Sequence, residues 1–175
     1  DDALEDLRVS GAVLFHEAYL APWAIAVPEE ARLRDLLGVG NDVRIVVFHY
    51  VRRETFDLQV EDGAPMPVRA GEVVICPGGG RHLMSRGNAV SAPFDEIVRG
   101  GGPLRVAPGT PGSTELICGF FYLRAAPLNP LLAALPPALR VATDDVATSP
   151  TLSSTATMLA HEIGRGAFGS YTVAR

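Results

Sequence analysis

Lysine is missing from this chain, and all fifteen basic residues are arginine. That absence reads as a compositional bias of the genome, since no physical function demands it. Clustered cations are missing as well. The formal net charge is −5 with the arginines scattered among carboxylates, so the segment lacks the basic surface that phosphate binding needs. Cysteine is scarce. Cys76 and Cys118 are the two in the chain, too few and too far apart for a disulfide scaffold and not part of a CxxC pair. Reduced thiols in a cytoplasmic protein are therefore expected. No window approaches the roughly eighteen continuous apolar residues of a membrane span, and the opening residues Asp1 to Arg8 are acidic, unlike a signal peptide. No internal repeat or low-complexity tract is visible. The chain opens without Met and stops at Thr172-Val173-Ala174-Arg175, so it is expected to be a piece of something longer.

What is present suits a turn-rich β architecture. The 175 residues are enough for one buried core, and 47% are hydrophobic, with 14 prolines and 18 glycines as punctuation. Asp1 to Val9 predicts a short N-terminal helix ended by Ser10-Gly11. Ala12 to Leu20 and Trp23 to Val27 predict two strands joined at Ala21-Pro22. Pro28 to Gly40 fits one helical turn or an exposed connection. From Val43 to Ser85 short β-rich runs alternate with Asp62-Gly63, Ala70-Gly71 and Pro77 to Gly80, which predicts an antiparallel meander. Arg86 to Ser113 reads as a long loop around Gly100-Gly101-Gly102, broken by a brief strand at Leu104 to Val106. That triple glycine lacks the Lys and Ser/Thr of a phosphate cradle, so it is no nucleotide loop. Thr114 to Arg124 is a strand, Asn129 to Pro137 a helical turn, and Pro150 to Gly164 an amphipathic helix.

The spacing Gly71, Pro77, Gly79, His82 resembles the second motif of the cupin superfamily, small double-sheet β-barrels with a central cavity. Around it, SGAVLFHEAYLAPWAIAVP, FHYVRRETFDLQVEDG, VRAGEVVICPGGGRH, the triple glycine, LICGFFYL and NPLLAALPPALRV stand in the same order as in the cupin-type N-terminal domains of AraC-type transcriptional regulators. The resemblance covers nearly the whole chain. It implies a mainly β, cupin-like double-stranded barrel (jelly roll) over residues 1–140, with a C-terminal helical segment at 141–175. It also implies a non-enzymatic sensor that binds a small-molecule effector, forms a homodimer, and reaches DNA only through a further C-terminal domain. That family usually has a glycine near the position of Arg53-Glu54, so this corner is expected to be built differently. Cupin enzymes commonly carry an HxH and a glutamate in their first motif, but the corresponding APWAIAVPEE has no histidine. This weakens the alternative of a metal-dependent oxygenase or isomerase.

Within such a barrel, His49, His82 and Cys118 lie on three strands around one interior. Two readings stand. They supply three donors for zinc or another divalent transition metal, with one position open, or they are hydrogen-bonded core histidines beside a buried thiol. The ligand-binding candidates are His49, His82, Trp23, Val47, Val51 and Phe120. If His49 points inward, so do Val47 and Val51, while Phe48 and Tyr50 face the other way. Most of the remaining aromatics are expected in the core. Arg52-Arg53 reads as a solvated hairpin end in preference to an anion grip, and His16 and His161 as surface or edge residues.

Overall fold

The computed structural model describes residues 8–124 and 134–142. Its strands are β1 (Arg8–Leu20), β2 (Trp23–Val27), β3 (Val43–Arg53), β4 (Thr55–Val60), β5 (Met66–Arg69), β6 (Glu72–Cys76), β7 (His82–Arg86), β8 (Ala92–Pro93), β9 (Arg105–Val106), β10 (Ser113–Arg124) and β11 (Leu139–Ala142). Two helices interrupt them, α1 (Glu30–Leu37) and α2 (Phe94–Val98). One sheet has the order β11-β6-β3-β10-β1-β9 and the other β5-β4-β7-β2-β8. The chain is mainly β, as expected, but the two sheets keep separate ladders and do not close into a single barrel. The Val43 to Ser85 stretch is also no simple meander. Of its neighbouring strands only β4 and β5 pair; β3 instead pairs with β6 and β10, and β4 with β7, so the chain alternates between the sheets.

The alternation of side chains explains why both sheets fold inward. Ile45, Val47 and Val51 of β3, with Leu116, Cys118 and Phe120 of β10, meet Trp23, Ile25, Phe56, Leu58 and Met84 of the other sheet in one core. Phe48, one residue out of phase, lies on the opposite face and stacks on Phe121 at 4.9 Å. Burial of such a surface contributes about 25 cal/mol per Å² of apolar area.

Local expectation and structure part at several places. Arg8 to Gly11 belong to β1, whose ladder with β10 begins at Arg8↔Arg124. There the long-range ladder overrides the weak helical preference of an acidic terminus; residues 1–7 lie outside the described residues. The 28–40 segment is a true helix. Leu33 is buried, Glu30 pairs with Arg34 at 2.8 Å, and Gly38 caps the end at φ 66°. The 86–113 loop contains the brief strand expected, now Arg105–Val106, but also α2, whose Phe94 and Ile97 are buried. Five residues are too few for their periodicity to announce a helix. Of the turn expected at 129–137, residues 129–133 lie outside the described residues, as does the 150–164 helix. Residues 134–138 are irregular and lead into β11, which runs across residue 140 and pairs with β6.

Phe56 is 1% exposed and packs edge-on to His49 and 6.1 Å from Trp23. Phe56→Ala is expected to destabilise the fold by about 3–5 kcal/mol. In urea unfolding this appears as a lowered midpoint at an unchanged slope, whereas an unchanged midpoint would place Phe56 outside the load of the core.

Candidate functional site

Two turns with positive φ aim the second histidine. Gly71, at φ 83°, donates its N–H to the Val51 carbonyl at 2.8 Å and starts β6; Gly79, at φ 58°, turns the chain after it. A Cβ on Gly79 would sit 2.8 Å from Glu30 Cβ and 3.1 Å from the Ile45 carbonyl, so only glycine lets the corner pass α1 and β3. His82 then opens β7, opposite Val60 on one side and Val27 on the other. His49 stands in the facing sheet, with Cys118 directly across the strand pair and Val74 on its other flank.

The three side chains form a line. Cys118 Sγ lies 2.9 Å from His49 Nδ1, His49 Nε2 lies 2.9 Å from His82 Nε2, and His82 Nδ1 lies 2.9 Å from the Gly80 carbonyl oxygen. All three are at most 3% exposed. Burial holds His49 well below its ordinary range, with His82 adding to the effect. Burial likewise pushes His82 down to about 4, against the Gly80 carbonyl, which favours the protonated ring. Burial and then the nearby Glu17 charge keep the Cys118 thiol protonated.

With both rings neutral, one proton arrangement satisfies every contact. The Gly80 carbonyl only accepts, so His82 Nδ1–H donates to it and His82 Nε2 is a lone pair. His49 Nε2–H must then donate to His82 Nε2, leaving His49 Nδ1 to accept from the Cys118 S–H. The hydrogen bonds all run one way, from sulfur to backbone.

This arrangement does not fit the three-donor metal site. Cys118 faces Nδ1 of His49 while His82 faces Nε2, so the thiol and the second imidazole lie at different edges of one ring and surround no common point. Among the described residues no group of three or more His, Cys, Asp or Glu side chains is placed to hold a metal ion.

The remaining ligand-binding candidates, Trp23, Val47, Val51 and Phe120, share the same core and are buried against one another. Trp23 donates its Nε1–H to Thr114 Oγ1 at 3.3 Å and sits between the rings of Tyr19 and Phe56; Phe94 of α2 meets Phe120 edge-on.

Two polar groups of β1 take partners that no local pattern records. Glu17 is on the inward face of β1, opposite Leu116, bonded to the Tyr19 hydroxyl and 2.8 Å from Arg105 Nε. Burial raises its carboxyl despite Arg105, which acts to lower it. His16, expected at a surface or edge, is half-buried and 2.8 Å from the buried Glu115, which also accepts from Arg52 Nη1 at 2.8 Å and the Gly109 N–H at 3.2 Å. Burial alone would raise Glu115, but His16, Arg52 and Gly109 together hold it below its ordinary value. His16 and Glu115 stand 99 residues apart in the chain, too far for any local pattern to join them. His161 lies outside the described residues.

A family model described as Cupin matches residues 1–175. No curated protein matches the chain. Among solved structures, protein Ylba from E. coli, of the DUF861 family, is similar at 12% identity with a TM-score of 0.34, over 80% of this chain and 40% of that one. The chain thus spans less than half the length of that structure. Among the described residues no helix is long and apolar enough to cross a membrane.

The neutral histidines make stability depend on pH. An unfolded chain protonates His82 near 6.5, the folded one near 4, so between these values the unfolded state binds more protons. Stability present above pH 6.5 is lost as pH falls toward 4, by about 3 kcal/mol through His82 alone, with His49 adding in the same direction. Urea midpoints between pH 7 and 4.5 should show this slope, and it should be shallower in His82→Gln. An equal slope in the variant would mean that His82 is not the group being titrated.

Proposed function

Since this chain belongs to the cupin family, we propose that it is a small-molecule-sensing domain of an AraC-type transcriptional regulator and not an enzyme. In that reading it acts as a homodimer, and DNA contact belongs to a further C-terminal domain. The supporting observation is the one-way line from Cys118 through His49 and His82 to Gly80, a directional polar element set in an apolar interior. Ligand sites are built in this way, mostly apolar with a few fixed polar groups. Such an element recognises; it is poorly suited to catalysis, because both imidazoles are held neutral well below neutral pH and neither contacts a carboxylate.

The direction of the line limits what can enter it. A group inserted between the rings must accept from His49 Nε2–H and donate to His82 Nε2. A hydroxyl does both. A ketone or ether oxygen accepts only, leaving the His82 lone pair buried without a partner at a cost of about 1–3 kcal/mol. The effector in this reading is a mainly apolar molecule carrying at least one hydroxyl. It acts only through its differential affinity for two arrangements of the domain.

Thermal shift with matched alcohols and methyl ethers tests this. A true effector at a hundred times its Kd stabilises by about 2.7 kcal/mol, its methyl ether does not, and His82→Gln loses the response. In the intact gene product the same alcohol changes affinity for operator DNA. Conversion of the bound alcohol to a product, or equal stabilisation of wild type and His82→Gln, would overturn the sensor reading.

A further inference from the structure

Away from the histidine line, an open cleft of about 320 Å³ is lined by Arg52, Arg53, Pro108, Gly109 and Glu115. Successive residues of a regular strand point to opposite faces, so two adjacent arginines lining one cleft need a cause. The register supplies it. Glu115 pairs with Arg53 and Leu116 pairs with Val51, so Arg52 is the extra residue of a β-bulge. Bulges re-aim side chains in this way and recur beside functional sites.

The charges around the cleft are unequal. Glu115 is buried and its carboxylate already accepts from His16, Arg52 and the Gly109 N–H. Arg52 offsets that charge through Nη1. Arg53 has no carboxylate partner among the described residues. Its Nη1 donates to the Gly109 carbonyl at 2.9 Å, which ties the guanidinium to the 108–110 turn and leaves its other nitrogens without protein partners there. The same glycine therefore anchors both sides, through its N–H to Glu115 and its carbonyl to Arg53. The result is one uncompensated, pre-positioned guanidinium beside a second, with Pro108 as the apolar wall.

We propose that this cleft binds a small organic carboxylate, held by the planar fork of Arg53 with Arg52 beside it. A planar carboxylate matches two parallel N–H donors of a guanidinium. The volume is near the lower end for ligand sites, so the occupant is a small acid whose body rests on Pro108 and the arginine stems.

Benzoate serves as the probe and benzamide as its neutral twin, each titrated at matched low ionic strength while the Gly109 and Thr110 amide resonances are followed. Benzoate is expected to move both resonances saturably and benzamide not to. Arg53→Gln should weaken benzoate roughly tenfold or more, and Arg53→Lys, which keeps the charge without the fork, should fall between. The proposal is overturned if benzamide titrates like benzoate, if Arg53→Gln binds as wild type does, or if neither resonance saturates. Arg53 is exposed, so its variants leave the core intact. The outcome is independent of whether an alcohol enters between the histidines.

Discussion

The contact between His49 Nε2 and His82 Nε2 joins the two sheets through a polar pair set inside their shared core. Everything near it is arranged so that two imidazoles can remain neutral and paired away from water. An unpaired ring nitrogen in that position would cost about 1–3 kcal/mol, so each ring requires the other, and the line must end on groups that cannot fail. It does. At one end is a main-chain carbonyl, fixed by the Gly79 corner, and at the other a thiol held protonated by its surroundings. The cross-sheet spacing is thereby tied to hydrogen-bond length, a sharper constraint than apolar packing alone imposes.

How much of this was legible in the sequence follows from the range of each interaction. The strands of the middle and the β10 run could be read from β-branched and aromatic density, and the inward set Val47, His49, Val51 from simple alternation. The family resemblance placed His49, His82 and Cys118 around one interior, and the structure brings them within hydrogen-bond distance of one another. What three residues on three strands do once together depends on ring orientation, which no spacing records. The sulfur met Nδ1 and the second histidine met Nε2, so the three donors do not surround one common point. Arg8 to Gly11 went wrong for the opposite reason. Their local pattern was real but weak, and a ladder to residues more than a hundred positions away outweighed it.

The Arg53-Glu54 corner shows how a departure from a familiar pattern is absorbed. Where the resembled family usually has a glycine, Glu54 adopts φ 63°, a conformation that costs a non-glycine residue roughly 1–2 kcal/mol. Three contacts offset it. The Glu54 carbonyl accepts from the Ala70 N–H, its carboxylate meets Arg86 at 3.0 Å, and the neighbouring Arg53 is tied to Gly109. With the adjacent bulge at Arg52, this corner concentrates backbone irregularity and charge in three consecutive residues. Such irregularity persists only where neighbours over-determine it, and of these neighbours Gly109 also lines the carboxylate cleft.

The two candidate sites lie along the same pair of strands. On β10, Glu115 faces the cleft and Cys118, three residues on, begins the histidine line; on β3, Arg52 and His49 stand three residues apart in the same order. Between them runs the bulge, a local shift of register. An occupant that drew Arg52 away from Glu115 would act on the one point of the ladder where the pairing is already offset, and the strain would have Val51 and Leu116, both fully buried, as its path inward. Packed interiors transmit such displacements because they compress poorly. The two sites thus share one strand pair, with the β-bulge at the edge of the cleft.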